Sequence, residues 1–117
     1  MTPEALERLE AELAAALAPI SAAALAGHLE ELRAFYGEWA DLKPALAKRV
    51  NAQWLAHFDG YPERLFALAC FRYRETPAGR APTPGELKAL VADEFGRARH
   101  LGWQAQRARA HFSEAGT

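Results

Sequence analysis

Leucine spacing constrains the fold of this 117-residue chain more than any other feature of its sequence. Leu6, Leu9, Leu13 and Leu17 follow one another at intervals of three and four residues, which places them on one face of a helix. Alanine, leucine, glutamate and arginine dominate, and these unbranched side chains lose little conformational freedom in a helix. No segment alternates apolar and polar residues as a strand does. We therefore predict an all-α, compact single domain of about five helices spanning residues 1–117.

Capping residues and prolines delimit the first three predicted helices. Thr2 and Ser21 carry side-chain oxygens that can accept from the first free N–H groups of a helix, and Asp41 can do the same for the third. In chain order, the other boundaries are Pro3 in the first turn of helix one, Pro19 after it, about Trp39 at the end of helix two, Pro44 in the first turn of helix three and the Asp59-Gly60 turn after it.

A stiff connection separates the last two predicted helices. The fourth helix runs from Pro62 to about Tyr73, and three prolines and two glycines then fall between residues 77 and 85. Thr83 and Glu86 have the spacing of a capping box, with Pro84 at the first helical position. The connection is therefore either a preorganised binding site or only a joint.

The fifth predicted helix follows this connection and ends near Phe112. Gly96 and Gly102 are expected to interrupt it, because glycine is a poor helix former. The tail, residues 113–117, is expected to fray.

The charge of the chain is uneven although its net value is only −1. Residues 1–59 hold five basic and nine acidic side chains, whereas residues 60–117 hold nine basic and six acidic ones. This polarity favours an acidic partner at the C-terminal half and falls short of the basic footprint of a dedicated nucleic-acid binder.

The N-terminus has no basic segment before an apolar one, no apolar run reaches 18 residues, and Cys70 is the single cysteine. We expect a cytoplasmic protein without a membrane segment or an internal disulfide.

Catalytic and metal-binding patterns do not emerge from the sequence. The four histidines do not form an HxxxH or HExxH pair, and no phosphate-binding loop or nucleophile elbow is present. Cys70 occupies an apolar helix position, where a cysteine usually fills core space. We therefore expect no cofactor, no metal and no enzymatic activity.

Arginines mixed with aromatic residues supply the candidate site. They occur in "FRYRETPAGR" at the end of the fourth helix and in "GRARHLGWQAQRARAHF" on the fifth. Trp54 and Trp39 are expected in the core, whereas Trp103 is the best candidate for an exposed interface anchor. The alternative is a solvated face without a partner. The candidate partner-binding residues are Tyr73, Arg74, Arg80, Arg99, Trp103 and Arg107.

Residues 54–91 resemble a pattern in small phage and prophage proteins that are encoded with replication genes, some of them described as helicase loaders. The shared elements are Tyr61-Pro62 after an aromatic-rich helix, an apolar-faced helix from Leu65 to Arg74, and Pro82-Thr83-Pro84-Gly85-Glu86-Leu87 opening the next helix. The absence of an ATP-binding loop excludes a loader of the AAA+ ATPase type. The resemblance implies a non-enzymatic adaptor that binds a replicative helicase or another replication component.

Two other functions remain open at this point. A phage-encoded, anti-CRISPR-like inhibitor can block a host machine sterically, with its acidic N-terminal helices imitating nucleic-acid charge. A nucleic-acid-binding accessory protein is the third alternative, and its affinity is expected to fall steeply with salt. For the adaptor and for the inhibitor, the expected partner is a larger host or phage protein complex. A homodimer that pairs the leucine stripe of helix one is also open.

Overall fold

The computed structural model describes residues 2–37 and 42–115, and six helices lie in these stretches. The described residues contain no β-strand beyond an isolated bridge between Pro19 and Pro62. The all-α class is confirmed, with one helix more than the sequence indicated. Trp39 and Asp41, which were predicted at the end of helix two and the start of helix three, lie outside the described residues. In chain order the helices are α1 (Pro3–Ala16), α2 (Ala22–Arg33), α3 (Pro44–His57), α4 (Glu63–Arg74), α5 (Pro84–Leu90) and α6 (Ala92–Ala115).

The predicted caps of the first two helices are confirmed. The Thr2 hydroxyl accepts from the Ala5 N–H at 3.1 Å, and the Ser21 hydroxyl accepts from the Ala24 N–H at the same distance. Gly60 has a φ of +71°, a left-handed conformation that suits glycine, so the turn predicted there is confirmed as well.

The second helix is shorter than predicted. It ends at Arg33 rather than near Trp39, because the hydrogen bonds after Arg33 span three residues instead of four. The Phe35 N–H, for example, donates to the Leu32 carbonyl at 3.0 Å. The chain then turns Tyr36 inward, where its ring lies edge-on to Tyr73 with 5.8 Å between centroids.

The predicted fifth helix is two helices, and the interruptions predicted at Gly96 and Gly102 do not occur. The break falls at Val91, which is fully buried and has φ −127° and ψ 19°. Gly96 and Gly102 lie inside α6 and do not interrupt it. The helix also continues to Ala115 instead of ending near Phe112.

The main core lies between α2, α3, α4 and α5 and is built around aromatic rings. Phe58 and Phe66 are almost fully buried and meet edge to face, with 4.8 Å between centroids. Trp54 stacks on Phe58 at 5.9 Å, which confirms its predicted core position. The aliphatic members from α2 and the α5–α6 region are Leu25, Leu29, Leu32, Leu87 and Val91.

A second, smaller apolar contact joins α1 to α6. It buries Leu6 and Ala105, neither of which belongs to the main core. The segment after α1 is tied to the segment before α4, since the Ile20 N–H donates to the Tyr61 carbonyl at 2.8 Å. The molecule measures 61 × 29 × 18 Å, and α6 accounts for about 36 Å at 1.5 Å per residue. The α1–α6 pair therefore presents a long helical surface beside the core.

Candidate functional site

The connection between α4 and α5 uses two of the predicted site residues for its own structure. Tyr73 is only 3% exposed, and its hydroxyl donates to the Arg80 carbonyl at 2.8 Å. The Arg80 guanidinium donates to both carboxylate oxygens of Glu86, at 2.7 and 2.8 Å. Tyr73 is therefore withdrawn from any docking face. Arg80 braces the start of α5, and both side chains serve the joint.

The predicted capping box is confirmed and is tightly bonded. The Glu86 N–H donates to the Thr83 hydroxyl at 3.3 Å, and the Thr83 N–H donates to the Glu86 carboxylate at 3.1 Å. These bonds, with those from Arg80 as the largest contribution, lower the pKa of Glu86 to about 2. A carboxylate that accepts three hydrogen bonds, two from Arg80 and one from the Thr83 N–H, fixes the entry of the chain into α5. The proline-rich segment is thus a stiff joint by its internal bonding.

A shallow apolar groove of about 480 Å³ runs between this joint and α5. Its lining is mostly methyl and ring carbons, with Glu86 at one side already bound to Arg80. The lining residues are Tyr73, Thr76, Pro77, Ala78, Glu86, Ala89 and Leu90.

Arg74 lies on a different surface from the joint. Its guanidinium is 5.5 Å from the ring centroid of Phe35, which is strongly exposed, and 3.8 Å from the Glu31 carboxylate. A pair this long with an exposed carboxylate contributes little, and the Phe35 ring is accessible to solvent whereas the Arg74 side chain is only 26% exposed. Phe35 was not singled out from the sequence, because its contact with Arg74 joins residues far apart in the chain.

The three predicted site residues on α6 form a continuous row. Arg99, Trp103 and Arg107 follow at intervals of four residues, and all three side chains are exposed. The Arg107 guanidinium lies 4.8 Å from the Trp103 ring centroid, and His100 stacks on the same ring at 6.0 Å. We call Arg99, His100, Trp103 and Arg107 the basic–aromatic face. The row extends toward the core through Phe95, whose ring lies 5.9 Å from the Arg99 guanidinium.

The opposite side of α6 packs on α1 and holds another arginine in an ion pair. Arg109 bonds through two nitrogens to the Glu10 carboxylate, and the Nε bond measures 3.3 Å. Hydrogen bonding to Arg109 lowers the pKa of Glu10. Arg109 is thus engaged by α1, whereas the basic–aromatic face points away from α1. At 100° per residue, Arg99 and Arg107 lie about 80° apart, so both belong to one side of the helix.

Cys70 is buried, and the potential metal ligands of the described residues are not grouped. Burial raises the pKa of the Cys70 thiol to about 12, which keeps it protonated near neutral pH. Within residues 2–37 and 42–115, no group of three or more histidine, cysteine, aspartate or glutamate side chains is placed to hold a metal ion. Nor does this part of the chain contain a helix with the length and hydropathy needed to cross a membrane.

No protein-family model matches the chain, and no curated protein or solved structure is significantly similar to it.

Proposed function

We propose that this chain is a non-enzymatic, protein-binding adaptor that docks on its partner through the basic–aromatic face of α6. The exposure of Trp103 carries the proposal: the side chain is 52% exposed, and the Arg107 guanidinium lies over its ring at 4.8 Å. Tryptophan and arginine are the residue types most enriched among the energetically dominant contacts of protein interfaces. A large apolar ring held in place by its neighbours also loses little conformational entropy on binding.

The phage or prophage type of this adaptor is supported by the resemblance of residues 54–91 alone. That segment runs from the last turn of α3 through α4 and α5, and it ends before the basic–aromatic face begins. We infer from the resemblance a partner in a larger host or phage complex, such as a replicative helicase or another replication component, and a cytoplasmic site of action. The surface that binds is inferred from α6.

The inhibitor remains the second candidate because α1 exposes several carboxylates. Glu4, Glu7 and Glu12 are exposed on this helix. The remaining carboxylate of α1, Glu10, binds Arg109. An acidic helix can occupy a groove that normally binds a nucleic-acid backbone. In that case α1, and not α6, contacts the partner.

Affinity capture from a bacterial host lysate, with and without nuclease, separates these functions. The bait is the tagged protein, compared with Trp103→Ala and with Leu46→Ala as a matched control, since Leu46 is an exposed apolar side chain on α3. The adaptor predicts a captured replication protein that survives nuclease and is lost only with Trp103→Ala. Recovery of a defence nuclease complex by all three baits favours the inhibitor. Loss of every partner after nuclease treatment indicates a nucleic-acid binder.

A further inference from the structure

Resting on the proposed function, we further propose that the basic–aromatic face binds an acidic amphipathic helix of the partner, which lies along α6. Its carboxylates pair with Arg99 and Arg107, and an apolar side chain between them contacts Trp103. Each feature of this partner follows from the charges and shape of α6.

The charge of the partner follows from which arginines are already paired. Among the described residues, five arginines lie within 4.0 Å of a carboxylate: Arg72, Arg74, Arg80, Arg97 and Arg109. Arg99 and Arg107 do not; their guanidinium groups lie over Phe95 and Trp103 instead. Ring contacts leave the N–H donors of a guanidinium free to bind carboxylates, often with two parallel hydrogen bonds. The two positive charges on this face are therefore available to an anionic partner.

A protein carboxylate fits this face better than a nucleic-acid phosphate. His100 precedes Trp103 by one turn and Arg107 follows it by one turn, so both neighbours lie along the ring. A base needs an open ring face for stacking, and these two neighbours occupy part of the faces, whereas an apolar side chain can pack on any part of the half-exposed indole that remains. The face also offers only two arginines, and the net charge of the chain is −1. Long-range attraction for a polyanion is accordingly weak.

The helical form of the partner follows from the shape of the face. Arg99 and Arg107 are separated by eight residues, about 12 Å along the axis, with Trp103 midway. This row lies on the side of α6 away from α1, and the outer surface of a single helix is convex. An extended peptide needs a sheet edge or a groove for its backbone, and a convex helix supplies neither. A second helix can instead interdigitate its side chains with such a row at about 8–10 Å between axes.

A synthetic helical peptide tests the proposal by NMR. The probe has about 18 residues, enough for a marginally stable helix, with glutamates one turn on either side of a central leucine. Its control carries glutamine in place of every glutamate. We expect the peptide to shift the Trp103 indole N–H and the amides of residues 99–107. The glutamine control and the double variant Arg99→Ser with Arg107→Ser should each weaken binding by about tenfold or more. Arg97→Ser should bind like wild type, because Arg97 is an exposed arginine of α6 that lies about 120° around the helix from Trp103, outside the basic–aromatic face.

Four outcomes would overturn the acidic-helix proposal. They are equal binding of the glutamine peptide, shifts that map outside α6, no binding at millimolar peptide, and stronger competition by a single-stranded oligonucleotide. Concentration-dependent shifts at Trp103 without any peptide would also overturn it, since a second copy of the chain would then occupy the face. If any of these occurs while a captured protein is still lost with Trp103→Ala, the adaptor function stands and only the chemistry of its partner changes.

Discussion

The guanidinium of Arg72 donates a 2.6 Å hydrogen bond to the carbonyl oxygen of Leu90, the last residue of α5. Carbonyls at the end of a helix have no partner within it, so a side chain from α4 satisfies this one. The other terminal nitrogen of Arg72 lies 2.6 Å from Glu94, in the first turn of α6. A cation at a helix C-terminus and an anion at an N-terminus both complement the helix dipoles. One side chain therefore ties together three helices at the α5–α6 break.

Replacing Arg72 by methionine should lower the thermal stability by several degrees. The variant keeps an apolar stem but removes the bonds of Arg72 to the Leu90 carbonyl and to Glu94, and a carbonyl left without a partner opposes folding. Thermal unfolding followed by circular dichroism measures the change. Arg97→Met is the matched control, because Arg97 is 3.8 Å from the same Glu94 and its side chain is 73% exposed. A melting temperature equal to that of the control would show that the α5–α6 junction does not depend on Arg72.

The capping box should make the protein less stable in acid. Hydrogen bonds from Arg80 and Thr83 lower the pKa of Glu86 from 4.5 to about 2. A carboxylate whose pKa is depressed by folding stabilises the native state above its unfolded pKa, and this contribution is lost as the pH falls through the folded pKa. We therefore expect stability to decline between about pH 4.5 and pH 2, and this decline to be shallower in Glu86→Gln.

Urea unfolding midpoints at a series of pH values between 7 and 2 test this dependence. The lowered pKa values of Glu10 and Glu94 contribute in the same direction, so part of the slope should persist in Glu86→Gln. Glu75→Gln, at the other end of the joint, is the control for removing one carboxylate outside the capping box. An unchanged slope in Glu86→Gln would mean that the capping box has no role in acid stability.

Removing the Tyr73 hydroxyl should loosen the joint and leave the core intact. Tyr73→Phe keeps the ring in its pocket but deletes the bond to the Arg80 carbonyl, at a cost of about 1–2 kcal/mol. Denaturant unfolding measures the loss, and hydrogen exchange should show faster exchange at residues 78–81. Tyr36→Phe is the control, because it deletes a hydroxyl from the neighbouring ring, which lies edge-on to Tyr73. If both variants lose the same stability, the Arg80 bond is not the cause.

Local chemistry made the helix starts predictable, whereas the α5–α6 break depends on distant residues. Thr2, Ser21 and Thr83 act on N–H groups three residues away, so spacing in the sequence reveals them. Val91 has neither glycine nor proline beside it, and the bond that stabilises the break comes from Arg72. Glycines inside α6 cost only about 1 kcal/mol each, which the surrounding helix can absorb. The break therefore could not be read from the local pattern.

For the candidate site, the position of its residues along the helix was predictable, but the pairing of its arginines was not. The sequence marked Arg99, Trp103 and Arg107 as candidates, and the structure has them in one exposed row, which their four-residue spacing was sufficient to indicate. Helical periodicity does not reveal which arginines meet carboxylates from other helices. Glu10 and Arg109 pair across almost the whole chain, whereas Arg80 meets Glu86 across the joint. Which arginines remain available thus emerges only from tertiary structure.

The division between the main core and the α1–α6 contact should appear as two levels of stability. Leu6 is fully buried but lies outside the main core, so Leu6→Ala should weaken the docking of α1 by about 2–5 kcal/mol. Hydrogen exchange should then show lost protection in α1 and the C-terminal half of α6, while α2 and α4 keep theirs. Leu46→Ala, at an exposed leucine of α3, should leave every segment unchanged. Equal loss of protection in α1, α2 and α4 would show instead that both apolar clusters unfold as one cooperative unit.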